Sequence, residues 1–159
     1  MYLQWLYTGE IVVTEEEWPP EEAEIAIHKA YVRPFYRALV YLYILADMLM
    51  DMTLRNCTLD ALRSYIYHSP VVPNNVLVTK VFKDTPPGSK LSTLLVDIFA
   101  CYTNCSFSAN PKHDYPTSFY RMLLDRVVPA AKGTSVLQNP YTAPKCTYHE
   151  HDASCPPCE

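Results

Sequence analysis

Glycine is scarce in this chain: Gly9, Gly88 and Gly133 are the only three in 159 residues. A backbone loop that wraps phosphate needs several glycines close together, so neither a P-loop nor a dinucleotide-binding turn can be built here. Long apolar runs are missing too. The longest, Ala38 to Ala46, stops at Asp47, well short of the ~20 residues a membrane-spanning helix needs. Nor is there an excess of positive charge. A formal net charge of -4 leaves no basic stripe of the kind that nucleic-acid or membrane-surface binding writes into a sequence. No basic segment leads into a small-residue cleavage site, so secretion is not expected. The six cysteines (Cys57, Cys101, Cys105, Cys146, Cys155, Cys158) are therefore expected to be thiols or metal ligands in a reducing compartment, nucleus or cytoplasm.

What the chain does have is organised in blocks. Thr14 to Glu24 (TEEEWPPEEAE) holds six Glu; removing them from the 17 acidic residues leaves 11 against 13 basic ones, so the acidity is local. Like charges repel and proline removes backbone donors, which makes this an exposed loop. After it, Phe35, Leu39, Leu42, Ala46 and Leu49 recur at three-to-four spacing and predict one face of a helix, with Pro34 in its first turn. Thr53 is the expected N-cap of a second helix, with Leu54, Cys57, Ala61, Leu62 and Tyr65 inward and Ser69-Pro70 ending it. Two helices so closely joined should pack together. Further helices are predicted over Asn75 to Lys83, Lys90 to Tyr102 with Ser89 as cap, and Thr117 to Val128 closed by Pro129. With one short strand at most, near Ile11 to Val13, the expected class is mainly α.

Two motifs carry a resemblance. WLYTGEI (Trp5 to Ile11) and, beyond the acidic insertion, Leu45 to Leu62 in the pattern L-A-D-M-L-x-D-x-x-L-R-N-C-x-x-D-A-L resemble the second half of a fungal-type BTB/POZ domain. The resemblance covers roughly residues 1–69, with the insertion at 14–24. Residues 70–130 then read as a helical extension and 131–159 as an irregular tail containing Cys and His. It implies that the first motif ends a helix and turns into a short strand, that Arg55, Asn56, Cys57, Asp60, Ala61 and Leu62 belong to a closing helix, and that Leu3, Leu6 and Tyr7 pack on the helix pair. The strand–helix–strand half of such a domain would lie before Met1. The expectation is thus a truncated domain, with a natural half-domain that needs a partner as the alternative. The implied function is protein–protein interaction, by self-association or as an adaptor to a cullin-type ubiquitin ligase. In that family part of the cullin-facing surface precedes the helix kept here, so the adaptor role is expected of longer relatives rather than of this chain.

One constellation could carry chemistry. CTYHEHDASCPPC, from Cys146 to Cys158, offers five soft or borderline ligands within 13 residues. Zinc takes four in a tetrahedron and favours thiolate with imidazole. Cys146, His149, Cys155 and Cys158 form the simplest set, with His151 as a substitute for His149. A four-ligand site leaves no open position, so the ion would staple the tail to the helical body rather than catalyse. The competing reading is an exposed tail whose Cys and His do nothing together. Cys101 and Cys105 share a helix face and read as packing residues. His28, His68 and His113 are scattered, and no nucleophile, base and orienter stand together, so an enzyme is not expected. The alternative function is a zinc-stapled helical domain binding nucleic acid or another ligand, with Lys80, Lys83, Arg121, Arg126 and Lys132 as its basic residues.

Overall fold

The computed structural model describes residues 1–11, 25–68, 72–102, 114–152 and 158, with side chains for all of these but 25–33, 66 and 68. It is mainly helical: α1 (Tyr2–Thr8), α2 (Ile25–Met48), α3 (Met52–His68), α4 (Asn75–Asp84), α5 (Lys90–Tyr102), α6 (Thr117–Ala131) and a 3-10 turn over Lys145–Thr147. Among the described residues there is no strand and no helix long and apolar enough to cross a membrane. Ile11 is not in a strand; Val12, Val13 and the acidic stretch 14–24 lie outside the described residues.

The long helix α2 organises the molecule. Phe35, Tyr36, Leu39, Val40, Tyr43 and Ile44 are buried, too wide a stripe to be covered by one neighbour. Both α3 and α4 pack on it, and α5 joins them through Leu91, Leu94, Leu95 and Ile98 in the same core. That core crosses the boundary near residue 69 without a break and takes in Ala143 and Tyr148 from the C-terminal segment. A second cluster joins Val78 of α4, Val96 and Phe99 of α5, Tyr115, and Phe119 and Leu123 of α6. The third is small: Leu42, Ala46 and Leu54, with Tyr2, Trp5 and Ile11 laid over them.

Several local expectations are corrected. Pro34 sits inside α2, nine residues past its start at Ile25. Proline removes one donor and crowds the preceding turn, and packing against two neighbouring helices outweighs that cost. Pro129 likewise lies within α6, which runs on to Ala131 before Thr134 N–H donates to Pro129 O and Gly133 N–H to Ala130 O, both 3.0 Å. Gly133 takes the left-handed φ of 69° that this closure needs. The end of α2 closes in the same way, Asp51 N–H on Ala46 O and Met50 N–H on Asp47 O, but the left-handed residue is Met50, at φ 54°. Leu49, expected on the buried face, falls in that closure and is exposed. The cap of α3 is Asp51, whose Oδ1 accepts from Leu54 N–H at 2.9 Å, not Thr53. A carboxylate one residue ahead of the helix reaches the orphan N–H groups, whereas Thr53 is already inside it.

The face of α1 is also corrected. Tyr2 and Trp5 pack inward, while Leu3, Leu6 and Tyr7 point away from the helix pair. Residues three apart share a helix face, and both faces of YLQWLYT are apolar, so periodicity alone could not choose between them. The larger rings favour it: a half-buried indole and phenol remove more area from water than two leucines standing over a corner.

Candidate metal centre

The C-terminal segment carries little regular structure, yet it is held closely. On α3, Asn56, Asp60 and Arg63 recur at i, i+4 and i+7 and form one stripe. Arg63 donates from Nε to Pro140 O at 2.9 Å, and from Nη2 to Tyr141 O at 3.3 Å and to Ala143 O. Its guanidinium also lies over the Tyr148 ring at 5.5 Å. Asn56 pairs reciprocally with the backbone of Glu150: its amide donates to Glu150 O and its Oδ1 accepts from Glu150 N–H, each 2.9 Å. The Glu150 carboxylate meets Arg55 at 2.7 Å and accepts from the Tyr43 hydroxyl at 3.2 Å. Lys90 of α5 donates to Thr147 O at 2.9 Å. Tyr148 is driven through to α5, where its hydroxyl donates to Asp97 Oδ2 at 2.8 Å. Burial raises the Asp97 pKa, against the pull of that hydroxyl and of Arg126.

These ties aim the Cys and His side chains. The 3-10 turn after Pro144, closed by Tyr148 N–H on Lys145 O at 3.1 Å, sets Cys146 beside the returning end of the chain. The Cys146 and Cys158 sulfurs and a ring nitrogen of His151 all lie within 4.8 Å of one another, half-buried. Cys158 N–H donates to the Cys146 sulfur at 3.1 Å. His149 stands at the edge of this trio: Nε2 is 3.0 Å from Asp60 Oδ1 and Nδ1 is 3.0 Å from the Cys158 sulfur. An ionised carboxylate only accepts, so the imidazole proton belongs on Nε2 and the Nδ1 lone pair faces Cys158.

Comparison with protein-family models, curated proteins and solved structures found no match.

Of the residues expected to bind metal, Cys146 and Cys158 are brought together. His151, the substitute, joins them, and His149 sits one step away against Asp60. Cys155 lies outside the described residues. Asn56, Asp60 and Arg63 were not foreseen as part of this site; the only signal was that two of them fall within the motif L-R-N-C-x-x-D-A-L. The line Cys158, His149, Asp60 has the order of a thiol, a base and an orienter. The hydrogen bond with Cys146, then burial, push the Cys158 thiol up, which disfavours a free thiolate nucleophile, whereas a coordinating cation would take the proton's place on the sulfur. Two thiols and an imidazole at this spacing suit a soft or borderline divalent ion better.

Proposed function

We propose that the chain is a protein–protein interaction module, of the BTB/POZ type its motifs resemble, acting by association of two copies through the end of the helix pair where α1 lies. The observation that carries this reading is a set of uncovered apolar side chains at that end. Leu3, Leu6 and Tyr7 are 70, 55 and 88% exposed, and Met48, Leu49 and Met50 at the adjoining α2–α3 corner 75, 49 and 85%. Grouped exposed apolar surface of this kind marks a contact with another macromolecule. An apolar patch of this kind suits a two-fold contact in which both copies present the same residues. Thioethers adapt readily to such a surface.

Met50 adds a second support. A left-handed backbone costs a non-glycine residue roughly 1–2 kcal/mol, and glycine takes the equivalent place at the end of α6. Strain kept beneath an exposed apolar side chain points to a use for that side chain. No catalytic step belongs to this reading, which places the protein in the nucleus or cytoplasm, where its cysteines stay reduced. Nucleic-acid binding is less well supported, because Lys80 is paired with Asp84 and Arg126 with Asp97.

Sedimentation velocity across a concentration series tests it. Wild type is expected to dimerise with rising concentration. Leu6→Glu with Tyr7→Glu should leave a monomer with an unchanged melting curve. Met50→Gly should weaken the dimer yet stabilise the monomer by about 1 kcal/mol. Wild type that stays monomeric at every concentration reached would sink the reading.

A further inference from the structure

We propose that Cys146, Cys158, His151 and Nδ1 of His149 bind one zinc-class ion, with Asp60 of α3 acting as the positioning residue that holds His149. Four observations converge on it, and none depends on the association of copies.

The donor atoms come first. Bound to zinc at about 2.3 Å for sulfur and 2.0–2.1 Å for nitrogen in a tetrahedron, ligand atoms stand roughly 3.3–3.8 Å apart. The trio already lies within 4.8 Å; His149 reaches it through Cys158, 3.0 Å from Nδ1, and its ring, 6.1 Å from that of His151, has to draw in to complete the tetrahedron. Next, the Cys146 sulfur accepts Cys158 N–H. A backbone donor aimed at sulfur stabilises thiolate charge, the form that binds metal. Thirdly, His149 has the arrangement of a metal-ligating histidine whose other nitrogen is tied to a carboxylate: Asp60 fixes the proton on Nε2 and turns Nδ1 toward Cys158. Finally, the neighbours on either side of His149 are immobilised, Tyr148 in the core and Glu150 on Arg55 and Asn56. The imidazole is thus placed by the fold before any ion arrives, which lowers the ordering cost of binding.

Two sulfur and two nitrogen donors select zinc over calcium or magnesium, which take oxygen. Each thiol releases its proton to solvent as the ion binds. All four positions are filled by protein, so the ion has no place for substrate or water and its role is structural. Through His149 and Asp60 it links the end of the chain to the middle of α3, 89 residues earlier.

The test uses the full chain loaded with zinc chloride after chelator treatment. Metal analysis is expected to give one zinc per chain, and X-ray absorption at the zinc edge two sulfur and two nitrogen scatterers. Asp60→Asn should retain that signature at saturating zinc while binding about 10–100-fold more weakly. Cys146→Ser should lose stoichiometric zinc, with the metal-free melting curve recorded alongside to show that the variant folds. The wild-type spectrum stands whether or not a variant folds. Absence of stoichiometric zinc would overturn the proposal. A shell of three sulfurs and one nitrogen would overturn the two-histidine shell. Unchanged affinity in Asp60→Asn would remove Asp60 from its role.

Discussion

Arg63→Ala is expected to destabilise the folded chain by about 3–5 kcal/mol, through the carbonyls it leaves without a donor and the lost packing of its buried stem. Arg63 is 7% exposed and serves three carbonyls of a segment with little regular structure of its own. A buried carbonyl that loses its donor costs about 1–3 kcal/mol. The three losses will not add in full, because a freed segment can swing out to water. The Tyr148 ring loses its cationic cover in the same step. Arg63→Lys should recover only part of the loss, since a single ammonium cannot span three acceptors as the planar fork does. Urea denaturation checks both variants, as a fall in midpoint. An Arg63→Ala midpoint within error of wild type would mean that the segment is held by other contacts.

Phe119→Ala is the second large effect, again about 3–5 kcal/mol. Its ring is fully buried and meets Phe99 and Tyr115 at 5.0 Å and Phe82 at 5.7 Å. Edge-to-face and tilted pairs of this kind contribute beyond the area they bury. Phe119 and Leu123 are the buried residues of α6, so losing Phe119 removes the larger of its two anchors. Phe119→Leu, which keeps part of the volume, should cost roughly 1–2 kcal/mol. Thermal melts followed by far-UV circular dichroism measure both. If Phe119→Ala melts like Phe119→Leu, the cavity has collapsed and α6 is held elsewhere.

How much of this could be read from the residues depends on how local the cause is. The span of α5 follows from its apolar spacing and from the Ser89 hydroxyl, which accepts from Ser92 N–H at 3.2 Å; both signals lie within a few residues. The pairing of α2 with α3 follows from the short corner between them. Pro34 and Pro129 misled, because proline's local cost is visible in sequence whereas the tertiary packing that outweighs it is not. In α1 both faces are apolar, so the buried one is settled by residues 42–54 and not by its own pattern.

The metal site divides along the same line. Cys146 and Cys158 stand out by chemistry and spacing. Which histidine joins them is decided by Asp60, far away in sequence, and the segment is positioned by Asn56 from 94 residues off. Polar contacts of that range leave no periodicity. They explain why a stretch that reads as an irregular tail carries Tyr148, one of the most deeply buried side chains of the core.

The central claim is that the C-terminal segment belongs to the fold and presents the Cys and His side chains as a prearranged group. Hydrogen exchange in chelator-treated protein tests it most directly, at the amides of Tyr148, His149 and Glu150. Glu150 N–H is bound by Asn56 and the other two by Lys145 O, so slow exchange at all three, in step with the amides of α5, is the predicted result. Exchange at the rate of an unstructured chain there, while α5 stays protected, would contradict the account.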